Sequence, residues 1–239
     1  MTRRRWIADE VSGDHAALTG NHADHLVRVL RARLGQEFDI ATGETVRRGR
    51  IVSITNDRVD FDLDEVISTA AEVQITLLLA IFKFDRMEWA VEKCTELGVT
   101  RMVPVIARRT DAHLATASQK RFERWQRIAR QASEQSRRTS PPEIAAPVKL
   151  SDALHVPASL RIVLSESESQ TQLREIVEPG VATGGVALAV GPEGGWTEDE
   201  LELFAQAAWA PASLGNTILR AETAAIAATA IVVSTLSTR

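Results

Sequence analysis

The chain has 239 residues, 44% of them hydrophobic and 25% charged, with a formal net charge of −4. That is the composition of a globular protein of one or two domains. A single cysteine, Cys94, excludes an internal disulfide framework and a cysteine-rich metal site. No stretch approaches the roughly 18 continuous apolar residues of a membrane span. The basic start Thr2–Trp6 lacks the apolar core of a secretion signal, so the expected location is the cytoplasm.

Residues 1–70 carry short strand-like runs, Phe38–Ala41, Ile51–Thr55 and Val59–Leu63, with turn residues Thr42-Gly43-Glu44 and Asn56-Asp57 between them. This pattern predicts a small, mostly β module. One helix is expected inside it, Ala23–Arg31, with Leu26, Val29 and Leu30 on one face. The polar stretch Ser68–Glu72 reads as a linker, so the second domain spans 73–239.

Strands and helices then alternate. Val73–Phe82 and Met102–Ala107 are predicted strands on either side of an amphipathic helix, Asp85–Leu97, which Gly98 closes. A long basic helix is expected over Ala117–Arg137, ending before Pro141-Pro142. Arg161–Leu164, Gly185–Val190 and Ala210–Leu214 are further strands. Thr197–Ala208 is a helix opened by a capping box between Thr197 and Glu200, and Thr217–Leu236 is an alanine-rich helix. This order predicts an α/β domain with a mainly parallel sheet covered on both faces.

Charge is unevenly spread. Residues 101–138 hold ten Lys/Arg against three acids, whereas residues 139–239 hold five against twelve. The basic run fits either a polyanion partner or a solvated helix face. The first module adds Arg3, Arg4, Arg5, Arg28 and Arg31 as phosphate-contacting candidates, but acids there outnumber arginines.

Two glycine-bearing turns carry the chemistry. Gly191-Pro192-Glu193-Gly194-Gly195 and Leu214-Gly215-Asn216-Thr217-Ile218-Leu219-Arg220 each leave an apolar strand and enter a helix. Side by side at the strand ends of a parallel sheet, they would line one backbone-rich pocket. The first turn is followed by acids rather than a lysine: Glu193, Glu198, Asp199 and Glu200 surround the helix start. Neither a phosphate-loop lysine sequence nor a GxGxxG follows a strand. A dinucleotide or triphosphate is therefore disfavoured. A cationic or neutral ligand such as S-adenosylmethionine suits the loop, as does a plain tight turn into a capped helix. Arg220 fits a substrate phosphate or a neighbouring carboxylate; Glu222 fits a partner for the helix dipole. No histidine shows metal-ligand spacing beyond His22 and His25, which read as surface residues, and Cys94 reads as core.

At these motifs the chain resembles the bacterial 16S (small-subunit) ribosomal RNA uridine-N3 methyltransferases, members of the SPOUT class. The resemblance runs through His25–Arg31, Lys83–Glu88, Glu92–Val99, Ala132–Arg137, the Gly191–Gly195 turn and Leu214–Ala224. It implies a PUA-like β-barrel at the N-terminus and a C-terminal α/β domain tied in a trefoil knot, with S-adenosylmethionine as cofactor and a homodimer as the assembly. Gly191, Glu193, Gly194, Gly195, Leu214, Gly215, Ile218 and Leu219 would hold the cofactor. Arg220 would serve catalysis by stabilising the uracil anion or by gripping the target's phosphate, Glu222 would be the general base, and Arg3, Arg4, Arg5, Arg28, Arg31 and Arg137 would contact RNA, with no metal required. Two departures stand out, Thr217 where the family usually has arginine and Phe84 where it has glycine. The latter is expected to reshape a loop away from the methyl-transfer centre. Rival functions are methylation of another base or a ribose 2′-hydroxyl, and a non-catalytic assembly factor.

Overall fold

The computed structural model describes residues 5–43, 45–69, 73–178 and 184–236. Arg3, Arg4 and the linker residues Ala70–Glu72 lie outside these. Two compact units emerge, residues 1–71 with 133–141, and residues 72–132 with 142–239.

In the first unit, β1 (Arg5–Ile7), β2 (Glu10–Ser12) and β3 (His15–Thr19) precede α1 (Gly20–Asp24), which runs into a π-helical turn over His25–Val29. Then come β4 (Glu37–Ala41), β5 (Thr45–Ile54) and β6 (Arg58–Thr69). The sheet order is β1-β4-β5-β6-β3-β2, parallel between β1 and β4 and otherwise antiparallel. Register shifts in the β5–β6 pair mark bulges that sharpen the twist. At Gly49 a Cβ would collide with Ile40 Cγ1, so the core there admits only glycine. The predicted strands are present but longer, and β1 to β3 are too short to show alternation in sequence.

The predicted helix differs. Leu30 N–H bonds His25 C=O, the wide turn of a π-helix, and the altered period leaves only Leu26 in the core. Val29 and Leu30 are 64% and 37% exposed instead of sharing its face. The strand arginines are committed to acids: Arg47 to Asp14, Arg48 to Glu65, Arg50 to Glu37, and Arg58 to Glu10 and Asp60.

The second unit contains β7 (Ile75–Ala80), α2 (Phe84–Leu97), β8 (Arg101–Ile106), α3 (Ala112–Ala117) and a 3-10 turn, Ser118–Arg121. There follow α4 (Phe122–Gln135, whose last three residues belong to the first unit), β9 (Glu143–Ile144), β10 (Val148–Lys149), α5 (Leu150–Ala153) and β11 (Leu160–Leu164). The chain ends with α6 (Leu173–Ile176), β12 (Val186–Val190), α7 (Glu198–Gln206), β13 (Ala210–Ala212) and α8 (Ala221–Leu236). Its strands run β10-β8-β7-β12-β11-β13, with β9 also beside β8, and every pair among the described residues is parallel.

Side chains alternate strictly across this sheet. Leu77, Leu79, Leu188 and Val190 join Met87, Val91 and Cys94 of α2 and Ala225, Ala228 and Val232 of α8 on one face. Leu78, Ala80, Ala187 and Ala189 join Phe204, Trp209 and Leu150 on the other. Each fully buried leucine or isoleucine contributes about 1.5–3 kcal/mol. Cys94 is core, as its surroundings in sequence imply. Burial pushes its thiol pKa up to about 12, with Thr229 Oγ1 at 3.6 Å as its polar neighbour. No helix among the described residues is long and apolar enough to cross a membrane.

Two helix boundaries depart from expectation. The basic helix is broken at Ser118, a buried residue whose hydroxyl donates to Ala115 C=O and tightens the turn. The last helix starts at Ala221 rather than Thr217, because Thr217–Arg220 run along a cavity. Apolar Ile218 and Leu219 fit the helical period and conceal that break.

His22 is no surface residue. Its Nδ1 lies 3.1 Å from Asp9 Oδ2 and its Nε2 3.1 Å from Glu134 Oε1, and its neighbour His25 packs edge-on against Trp6. Hydrogen bonds to Asp9, then to Glu134, raise the His22 pKa from 6.5 to about 9. The stabilisation is therefore complete below pH 6.5 and is lost as pH rises through 9. After allowance for solvent at this partly exposed site, it amounts to about 1–2 kcal/mol. Urea unfolding of the wild type and of His22→Gln should differ by about that much at pH 6 and converge by about pH 10; a difference independent of pH would show that the imidazole is not charged.

Candidate active site

The carboxyl ends of parallel strands all open on one side of the sheet, and ligands collect where neighbouring connections diverge. From β7 the chain crosses by α2 to β8, whereas from β12 it crosses by α7 in the opposite direction to β13. The divergence lies between β7 and β12. Beside it, the loops after β11, β12 and β13 enclose a cavity of about 750 Å³.

These loops are stitched to one another. Ser165 N–H bonds Ala212 C=O, Ser213 N–H bonds Thr171 C=O, and Leu173 N–H bonds Ser213 C=O. Glu168 folds its own turn by accepting from the Gln170 and Thr171 amides, which hold its carboxyl below the usual range.

Both glycine turns line the cavity. The first closes on the Gly195 N–H to Pro192 C=O bond, and Gly195 sits at φ +68°, a left-handed conformation that favours glycine. Arg109 clasps this turn, with Nη1 2.5 Å from Gly194 C=O and 3.3 Å from Trp196 C=O. A Cβ at Gly194 would lie 3.2 Å from Arg109 Cδ. Beneath the turn Trp196 packs edge-on against Phe204, and Phe204 against Trp209. Gly191, Glu193, Gly194, Gly195, Leu214, Gly215, Ile218 and Leu219 are thus brought together around one space, and Ile218 is 82% exposed.

The acids after the first turn are used differently from the arrangement expected. Glu200 is 3% exposed and completes the capping box, its Oε2 accepting from Thr197 N–H and its Oε1 from Arg108 N–H. Glu198 and Asp199 do not line the cavity, which leaves Glu193 of the four, joined by Glu166 and Glu168 from the loop after β11. Arg86, Arg109 and Arg220 also line it. The case against a phosphate chain therefore rests on the missing lysine and GxGxxG rather than on a ring of carboxylates.

Arg220 is exposed on the cavity wall and pairs with no acid among the described residues. Its carbonyl accepts the Ala224 N–H and starts α8. Glu222, in the first turn of α8, is 3% exposed and is not a lining residue. Its Oε1 stands 3.7 Å from Arg86 Nε.

Arg86, Arg109 and the loop after β11 with Glu166 and Glu168 are the parts of the site that sequence reasoning missed. Arg86 lies within the Lys83–Glu88 motif, which marks it; Arg109 reaches residues 85 and 87 positions further on in the chain, a contact no local pattern encodes. Phe84 opens α2 and packs edge-on against Trp125, with the Arg121 guanidinium 4.7 Å above its ring. It is not a lining residue, whereas Thr217 is.

Of the remaining RNA-contact candidates, Arg5 donates to Arg137 C=O and Arg28 pairs with Asp24 at 3.1 Å. Arg31 and Arg137 are exposed and adopt left-handed backbones at φ +54° and +60°. Within the basic run, Arg124 binds both oxygens of Glu88 at 2.6 and 2.7 Å, and Arg121 shares that carboxylate. Part of the run is therefore a brace between α2 and α4. Lys120 and Arg127 remain exposed.

The RNA methyltransferase domain family model matches residues 69–233. The ribosomal RNA small subunit methyltransferase E of Synechocystis is 34% identical over 213 residues, 87% of this chain and 69% of that one. The crystal structure of the enzyme of that name from Neisseria gonorrhoeae, bound to S-adenosyl methionine, is 31% identical. It superposes with a TM-score of 0.82 over 96% of each chain. A methyltransferase of Legionella pneumophila, solved with bound SAM, is 29% identical with a TM-score of 0.83 over 98% of each. With its glycine-walled cavity at the carboxyl ends of a parallel sheet, the chain belongs to the ribosomal RNA small subunit methyltransferase E family.

Proposed function

We propose that this protein transfers a methyl group from S-adenosylmethionine to N3 of a uridine in 16S small-subunit ribosomal RNA. The observation that carries the reading is the single cavity into which both glycine turns open, with cationic side chains on its wall. The residues fit the cofactor. Gly195 and Gly215 leave the main chain open to close approach, whereas Gly191 and Gly194 let the turn pack against Trp196 and Arg109, and Glu193 supplies a carboxylate for a cationic end. S-adenosylmethionine supplies an electrophilic methyl on a sulfonium.

The chain's own residues then position and polarise. Leu214, Ile218 and Leu219 give apolar contact for a flat ring. Arg220, exposed and without an acid partner among the described residues, grips the target nucleotide. The target base reaches the cavity from a single strand or after flipping out of a helix. Arg3, Arg4, Arg5, Arg28, Arg31 and Arg137 add phosphate contacts, which make binding salt-sensitive.

The finer architecture is part of the same proposal: a PUA-like first domain, a trefoil knot in the second, and a homodimer. Half-exposed Ala227, Ala230 and Ile231 on α8 offer a small-residue surface for a second copy. A cytoplasmic location fits an enzyme that acts on ribosomal RNA.

Three measurements test this reading. Small subunits from cells with and without the gene should differ by one N3-methyluridine by mass spectrometry; a methyl group on a ribose or another base would redirect the assignment. Gly195→Val forces a β-branched residue into a left-handed backbone, at a cost of about 1–3 kcal/mol. Calorimetry should then show S-adenosylmethionine affinity reduced by at least about tenfold with circular dichroism unchanged, and undiminished affinity would remove the cofactor from this cavity. Arg220→Ala should slow methyl transfer by about 100-fold while cofactor affinity changes little; equal loss of both would make Arg220 a structural residue.

A further inference from the structure

We infer that Arg86, held from behind by the buried Glu222, is the group that stabilises the uracil anion during methyl transfer. The inference rests on the N3-uridine reading above and divides labour between the arginines of the cavity.

Uridine N3 carries an imide proton. That proton passes to solvent, the N3 electron pair forms the new N–C bond, and the S–C bond breaks with its electron pair returning to sulfur. Before the methyl moves, negative charge spreads from N3 onto O2 and O4 of the base. A group that binds this charge must already be aimed when the charge forms, because reorganising it at that moment wastes the interaction.

The three lining arginines differ in this respect. Arg109 is spent on the carbonyls of Gly194 and Trp196. Arg220 is exposed and unbraced, which suits a phosphate that arrives in variable positions. Arg86 alone is oriented by a charge. Its Nε faces Glu222 Oε1 at 3.7 Å, and its side chain is 30% exposed, whereas that of Glu222 is 4% exposed. Its Nη groups donate to no other described residue, so the fork of donors is left for a ligand. Position agrees with this role. Arg86 lies in the first turn of α2, which follows β7, and β7 adjoins β12, whose end carries the Gly191–Gly195 turn.

Glu222 is the positioning residue. It lies at the start of α8, where the helix dipole favours a carboxylate. It is buried, and its Oε2 has no hydrogen-bond partner among the described residues. A buried carboxylate is costly unless paired, and the cation available to it here is Arg86. The pair, at a separation longer than a hydrogen bond, biases the guanidinium toward the cavity by charge, and Glu222 acts on the base through Arg86 rather than as a proton acceptor.

The test uses small subunits from cells lacking the gene, grown with 5-fluorouracil so that the target position carries a mixture of uridine and its more acidic 5-fluoro analogue. One reaction with the full-length enzyme then yields both methylated nucleosides, and mass spectrometry reads their ratio. Folding, RNA binding and cofactor affinity act on both bases alike and cancel. An enzyme without its anion-stabilising group depends more on the intrinsic acidity of the base. Arg86→Met should therefore slow transfer by about 100-fold and raise the fluorinated-to-ordinary product ratio at least fivefold over wild type. Arg86→Lys, which keeps the charge but loses the fork, should fall between, and Glu222→Gln should shift the ratio in the same direction. Calorimetric S-adenosylmethionine affinity should stay within threefold of wild type in all three. An unchanged ratio in both Arg86 variants would overturn the inference and leave the proposed activity standing. Wild-type enzyme that forms no N3-methyluridine would overturn both.

Discussion

Parallel pairing at β12 is the constraint on which the rest depends. All five of its residues are buried, β7 and β11 flank it in parallel, and its side chains feed cores on both faces. A strand with that environment must be apolar throughout, and Val-Ala-Leu-Ala-Val satisfies this with small residues on the face beneath Trp196 and Phe204. Its neighbours can be parallel only if the chain crosses over each time, so every strand delivers its carboxyl end to one side. The glycine turn, the loop after β11 and the loop after β13 then converge without any of them encoding the others. The cavity is a consequence of strand direction before it is a consequence of loop sequence.

That order explains what was legible in the chain beforehand. The alternating α/β pattern, the capping box at Thr197 and Glu200, and the glycine turns are local signals, and local hydrogen bonding or burial enforces each of them. The start of α8 was obscured because Ile218 and Leu219 extend the apolar period of the helix while facing the cavity instead. The π-helical turn at His25–Val29 misplaced Val29 and Leu30 because periodicity assumes one helical pitch. Arg109 and the Glu88 brace depend on residues far apart in the chain, and nothing local separates a bracing arginine from one that waits for a ligand.

Electrostatics around the cavity shows how little residue type settles by itself. Of the four acids in and after the first turn, one completes a helix cap and two do not line the cavity. Three arginines line the same space in three conditions: clasped to carbonyls, facing a buried carboxylate, and free. Charge counting assigns all seven groups to one field. Their partners separate them, and charge counting does not show which is which.

The grouping of residues 133–141 with the first 71 has a consequence for how the protein can be divided. His22 draws one of its two carboxylates from Glu134, and Arg5 donates to the carbonyl of Arg137. Both partners belong to a stretch that follows α2, β8 and most of α4 in the chain. A single cut near residue 72 therefore parts the N-terminal stretch from residues 133–141: His22 keeps Asp9 but loses its second anion. The two units are built from interleaved rather than consecutive sequence, so a transplanted N-terminal unit must carry its distant nine-residue segment with it.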